Sequence, residues 1–150
     1  MEILEVKENK EQYMDLLLLA DGQESMIQKY LNRGTLFALY EDYDLKTVAV
    51  VTKESQDTYE IKNIATLKIY QGKGYGKAMV NHIIQYCKNQ GKILLVGTPE
   101  SENTLIFYEG LGFVYSHTEK DFFVKNYAHP IMENGVQLRD KLYYKLILQK

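Results

Sequence analysis

Residues 71–77 read Gln-Gly-Lys-Gly-Tyr-Gly-Lys, and the run sits between two stretches of different periodicity. Before it, Tyr59-Glu60-Ile61-Lys62-Asn63-Ile64-Ala65-Thr66-Leu67 alternates as a strand does. After it, Tyr75 to Lys88 carries its apolar residues at helical spacing. A strand, a glycine-rich turn and a helix in that order build an anion site. Glycine lets successive backbone N–H groups converge on one point, and the helix N-terminus adds its partial positive charge. Lys73 and Lys77 put two formal charges beside the turn. A phosphate-bearing ligand is the expected occupant.

The surrounding composition narrows the partner. A formal charge of −2 gives no reason to expect nucleic acid, so the lysine patch is local. The single Cys87 excludes an internal disulfide framework and a cysteine zinc cluster. His129 and Glu133 have a spacing too common to argue for a metal, and no metal is assigned. Met1-Glu2-Ile3-Leu4-Glu5 lacks the basic and apolar regions of a signal peptide, and no apolar run approaches membrane-spanning length. The expectation is a cytoplasmic protein with no membrane partner. Residues 1–150 suffice for one domain, which at this length buries about 70% of its unfolded surface.

Along the chain the first half reads as Glu2–Lys7 in a strand and a helix entered at Asn9 and Gln12, a weak capping box, and ended at Gly22. A second helical stripe of Met26, Ile27, Tyr30 and Leu31 closes at Gly34. Leu36–Tyr40, Lys46–Lys53 and Thr58–Leu67 then read as an antiparallel meander. Beyond the glycine turn, Met79, Val80, Ile83, Ile84 and Cys87 share the apolar face of a helix, and His82 falls toward its polar side. Ile93-Leu94-Leu95-Val96 is a continuous apolar run, as a strand buried on both faces should be. Ser101–Gly110 reads as a helix, Phe113–Thr118 as a strand and Leu138–Leu148 as a last strand. Glu119–Gln137 is a long connection rich in aromatics, which marks a functional segment more than a disordered one. The class is α/β with about four helices, antiparallel in its first half and β-α-β in its second.

At this point the motifs resemble a known family. Gln71, Gly74 and Gly76, following Asn63-Ile64-Ala65, match the Gln-x-x-Gly-x-Gly acetyl-CoA signature of the GNAT superfamily of N-acetyltransferases. Asn103 followed by Phe107-Tyr108-Glu109-Gly110-Leu111-Gly112-Phe113 resembles that family's "N…FYEKLGF" segment. The resemblance is specific over Thr58–Tyr115. It implies a mixed sheet in which the strand ending near Leu67 splays from a parallel neighbour at Ile93–Gly97, with the pantetheine arm of acetyl-CoA in the gap. The backbone of Ala65, Thr66 and Leu67 would pair with that arm, and Asn103 would bond it. Gln71, Gly72, Lys73, Gly74, Tyr75, Gly76 and Lys77 would hold the pyrophosphate. Where the family often has proline, this chain has Lys68.

Acetyl transfer to an amine needs a base, stabilisation of the oxyanion and an acid for the departing thiolate. A lysine-like amine has a pKa near 10.4, so it must be deprotonated at neutral pH. By resemblance, Tyr108 is the acid on the thiol side; otherwise it packs in its helix. Glu60, eleven positions before Gln71, stands where some relatives carry their base; otherwise it is a solvated strand carboxylate opposite Lys62. Period-2 counting puts Glu60, Lys62 and Ile64 on one face. His117, His129 or water could serve as base instead. Phe122, Phe123 and Tyr127, with Asp121, His129 and Glu133, could wall the acceptor side of the site, or simply cover a sheet edge. The leading function is acetyl transfer to a primary amine of a small molecule or peptide. The rival is a non-enzymatic acyl-CoA-binding regulatory module. A nucleotide hydrolase is a poor fit, since Ala78 follows Lys77 where a phosphate-binding loop needs Ser or Thr. A homodimer through the last strand is also an expectation.

Overall fold

Four strands, β1 (Glu2–Val6), β2 (Thr35–Glu41), β3 (Asp44–Lys53) and β4 (Thr58–Thr66), form the antiparallel meander in the computed structural model, which describes residues 1–133 and 135–148. Two short helices, α1 (Met14–Ala20) and α2 (Glu24–Gln28), fall between β1 and β2, and α3 (Tyr75–Cys87) follows β4. The remaining chain supplies β5 (Ile93–Pro99), α4 (Glu102–Gly110), β6 (Val114–Glu119), α5 (Phe122–Asn126), β7 (Met132–Glu133), β8 (Val136–Gln137) and β9 (Lys141–Ile147). Seven of these strands make one mixed sheet with one parallel pair, and β7 and β8 pair only with each other. The chain divides into two compact units, Met1–Leu94 with Leu148, and Leu95–Ile147.

In the first unit, alternation along β2 and β3 sends Leu36, Ala38, Val48 and Val50 into a core with Leu16, Leu17, Ile27 and Leu31 from the α1–α2 region. The opposite face receives α3, whose Met79, Val80, Ile83 and Cys87 are buried. Burial pushes the Cys87 thiol up to about 12. His82 does not project into solvent as its helical position suggested. Its ring packs edge-on against Phe37 at 4.9 Å, beside Tyr86 at 5.1 Å from the same phenyl ring. Asp42 and Tyr43, at φ 56° and 68°, close the β2–β3 hairpin in the doubly left-handed turn that suits strand twist. The expected capping box is absent. Asn9 sits at φ 54° with no side-chain cap, its carbonyl accepts the Gln12 amide at 3.1 Å, and a 3-10 turn (Lys10–Tyr13) precedes α1.

Two β-bulges change the reading of this sheet. Opposite Leu39 and Tyr40, the β3 register passes from Thr47 to Leu45; opposite Val51 and Val50, β4 passes from Ile61 to Asn63. Lys46 and Lys62 are the extra residues. Directly opposed residues of an antiparallel pair share a face. Glu60 opposes Thr52, Asn63 opposes Val50 and Ala65 opposes Val48, so these three point to the α1–α2 side. Ile64, opposite Ala49, points the other way. Strict alternation had grouped Glu60 with Ile64; the inserted Lys62 separates them.

In the second unit β6 and β9 pair antiparallel, with a register shift between Tyr115 and His117. Gly97 of β5 lies tight against β9, where a Cβ would come 2.9 Å from the Tyr143 ring. The strand order runs β5-β9-β6, so β9 has partners on both sides. The last strand therefore has no free edge for a dimer contact; β6 has one. The run Ile93–Val96 is not buried uniformly, since Leu94 and Val96 are buried while Ile93 and Leu95 are half-buried. The long connection is structured in its described part, holding α5 and the β7–β8 pair. It raises the α-helix count among the described residues to five, against about four expected.

Candidate functional site

The glycine turn lies wholly in the first unit. After Thr66 the chain passes through one 3-10 turn (Lys68–Tyr70), in which the Tyr70 amide donates to Leu67 O at 2.8 Å. No proline is needed for this reversal. Gln71 then reaches back, its Nε2 donating to Thr66 O at 3.1 Å, and staples the turn to the strand end. Gly72 and Gly74 have φ of 76° and 91°, and a Cβ on either would meet no protein atom within 4 Å. Their glycine requirement is conformational, and the open space leaves the backbone free to be approached. Gly74 is the cap residue of α3, with no side-chain cap, and the first amide bonded within the helix is that of Ala78, to Gly74 O at 3.0 Å. The amides of Tyr75, Gly76 and Lys77 have no acceptor inside the helix. With exposed Lys73 and Lys77 alongside, the turn has the donors and the charge to hold a diphosphate.

The strand leading into it is also informative. The Leu67 amide donates to Lys46 O at 3.0 Å, which directs it toward β3. Alternation sends the Ala65 amide the same way, and turns the main-chain groups of Ile64 and Thr66 away from β3. Of the three residues named from the sequence, Thr66 presents its backbone outward, and Ile64 joins it. Ile64 was not named from the sequence, because the direction of its backbone groups depends on register rather than on residue type.

Glu60 is 5% exposed, so it is not a solvated carboxylate. Its Oε2 lies 3.2 Å from Lys62 Nζ, yet outside hydrogen-bond geometry, and that buried oxygen accepts no hydrogen bond among the described residues. Lys62 also stands 3.7 Å from Glu54, which is paired with Arg33 at 3.0 Å and accepts from the Thr52 hydroxyl. Burial raises the Glu54 carboxyl, and the Thr52 hydroxyl, Lys62 and Arg33 outweigh it, holding the group below the ordinary range. Glu60, Lys62, Glu54 and Arg33 thus alternate in charge from the interior to the surface.

In the second unit Tyr108 is 4% exposed, its ring edge-on to Phe107 at 5.0 Å and to Phe113 at 5.4 Å. Burial pushes its phenol well above the ordinary tyrosine value, so it stays protonated. Asn103, in the first turn of α4, and Glu133 line the same groove of about 350 Å³, with Glu100, Ser101, Glu102, Val136 and Leu138. The structure brings these two candidates together. His129 is exposed and is not part of that lining. His117 stacks flat on Tyr143 at 4.5 Å, with its Nδ1 2.9 Å from Ser116 Oγ. Phe122, Phe123 and Tyr127 pack on one another, and Lys141 Nζ lies 4.3 Å from the Phe122 ring centre. Asp121 is engaged by Arg139 at 3.1 Å, and its amide donates to Asp140. Much of this aromatic segment therefore supports itself; its Asn134 lies outside the described residues.

No cluster of three or more His, Cys, Asp or Glu side chains among the described residues is placed to hold a metal, and no helix there is long and apolar enough to cross a membrane. Residues 32–115 match the family model described as an acetyltransferase (GNAT) domain. The chain is 36% identical to the uncharacterized N-acetyltransferase YvbK of Bacillus subtilis (strain 168), over 93% of each protein. It is similar to a GNAT family acetyltransferase from Elizabethkingia anophelis with acetyl-CoA bound, with a TM-score of 0.93, 32% identity and 97% of each chain covered. It is also similar to a Bacillus subtilis acetyltransferase in complex with CoA, with a TM-score of 0.91, 34% identity and 99% of each chain covered.

Proposed function

This chain belongs to the GNAT acetyltransferase family, and from that premise we propose that it transfers the acetyl group of acetyl-CoA to a primary amine of a small molecule or peptide. It is an acetyl-CoA-dependent N-acetyltransferase. The observation that carries the reading is the Gln71–Lys77 turn, where two left-handed glycines and the uncapped start of α3 leave backbone donors open beside two lysines. Acetyl-CoA supplies an activated acetyl group as its thioester. Gly72 to Lys77 would hold its diphosphate, while Ile64 to Leu67 and Asn103 would line the pantetheine arm.

Glu60 would take the proton of the acceptor ammonium, directly or through water. Tyr108, kept protonated by burial, would donate to the departing thiolate. Glu133, on the groove with Asn103, and His129 would meet the acceptor. The same reading treats residues 1–150 as one catalytic domain, places it in the cytoplasm, and takes the free edge of β6, with Val114 and Tyr115 exposed, as the surface for a homodimer.

Assay of CoA release against polyamines, amino-acid amides and lysine-containing peptides should show turnover with one acceptor class. Acetyl-CoA binding with no release across all three classes would remove the acceptor assignment. With an acceptor in hand, Glu60→Gln should lower kcat by about 10²–10⁴-fold, the range for loss of a general base, with acetyl-CoA affinity retained. Unchanged turnover would transfer the role to water, His117 or His129.

A further inference from the structure

Lys46 is the extra residue of the β3 bulge and is only 6% exposed. Lysine is seldom fully buried unless it is paired, because removing its charge from water is costly. Among the described residues Lys46 forms no ion pair. Its Nζ lies 3.5 Å from the centre of the Tyr70 ring and 5.8 Å from that of Tyr75. The two rings meet edge to face at 6.1 Å, and the Tyr75 hydroxyl donates to Glu41 Oε1 at 2.9 Å. Tyr70 is the last residue before Gln71, and Tyr75 opens α3, so the cation contacts the ring on one side of Gly72 and Gly74 and lies within cation–π range of the ring on the other. The Lys46 backbone reaches the same region, its carbonyl accepting the Leu67 amide.

A turn with two left-handed glycines loses much conformational freedom when it orders around a ligand. Bulges commonly re-aim a side chain near a functional site, and a cation on an aromatic face attracts strongly once water is excluded. We infer that Lys46 is a positioning residue for acetyl-CoA, holding the Gln71–Lys77 turn in its anion-binding shape through Tyr70 and Tyr75. The inference rests on acetyl-CoA binding at that turn. Lys46 acts by lowering the ordering cost of binding, so it affects cofactor affinity and leaves the chemical step alone.

The test is calorimetric titration of the full chain with acetyl-CoA, with melting curves, for Lys46→Met, Lys46→Arg, Tyr70→Leu and the Lys46→Met/Tyr70→Leu pair. Lys46→Met should weaken binding about tenfold, the scale of a desolvated cation–π contact, with an equal rise in the acetyl-CoA KM and kcat unchanged at saturation. Lys46→Arg should recover most of the affinity, and the double variant should be no weaker than Lys46→Met, because both changes break one interaction. Wild-type affinity in Lys46→Met overturns the inference, as does an Arg variant no better than Met. Additive losses in the double variant also overturn it, by making Lys46 a direct ligand contact. If Lys46→Met does not fold, Tyr70→Leu at a half-exposed position carries the test, and wild-type affinity there is equally fatal. Failure of the unaltered protein to bind acetyl-CoA would overturn the site assignment as well, whereas a tolerant Lys46→Met in a binding-competent chain removes only this inference.

Discussion

Gly74→Asp should abolish measurable acetyl-CoA binding while the protein stays folded. A Cβ at position 74 meets nothing within 4 Å, and although a side chain at φ 91° is strained, aspartate bears left-handed backbone better than most residues. Aspartate is also a good helix cap, and its charge suits the α3 N-terminus. The same properties block the ligand. The carboxylate would take the amides at the start of α3 and set a negative charge against the diphosphate. Loss of two charge-assisted hydrogen bonds alone weakens binding by about 10²-fold or more. Titration calorimetry paired with a melting curve checks this. A folded Gly74→Asp protein with unchanged affinity would remove the turn from the cofactor site.

Tyr108→Phe should lower turnover by about 10²–10⁴-fold, the range for loss of a general acid, with little change in acetyl-CoA affinity. Only a hydroxyl is lost, and the ring keeps its edge contacts with Phe107 and Phe113. The sign of the pH effect follows from burial. A phenol raised above its usual value of about 10 remains an acid throughout the neutral and mildly alkaline range. The unaltered enzyme should therefore show no loss of rate from this group as pH rises to about 9. Steady-state kinetics at saturating acetyl-CoA gives both results. Turnover equal to the unaltered enzyme would leave Tyr108 as a packing residue.

Features set by local chemistry were legible in the sequence. Gly72, Gly74 and Gly76 marked the turn, and Met79, Val80, Ile83 and Cys87 marked the buried face of α3, because torsional freedom and helical period are properties of short stretches. Features that depend on a partner strand were not. A single inserted residue leaves an alternating pattern looking intact, so the bulges at Lys46 and Lys62 were invisible, and with them the face of Glu60. Ala65, Thr66 and Leu67 were named together by resemblance, and which of them turns its backbone away from β3 is set by pairing with that strand. The aromatics of 119–137 stood out by composition. Their mutual packing, and the Arg139 and Asp140 contacts to Asp121, required the fold to be seen.

The buried face of α3 also bears on how this enzyme can be assayed. Cys87 is the chain's one cysteine, has no exposed surface, and its thiol is pushed up to about 12. Thiolate is the reactive form, so the folded protein should be inert toward thiol-labelling dyes at neutral pH. Free CoA then supplies the sole fast-reacting sulfhydryl in the cuvette, and a chromogenic disulfide reports its release continuously without background from the catalyst. The same reagent becomes an unfolding probe: slow labelling of Cys87 counts the molecules in which α3 has come away from the sheet.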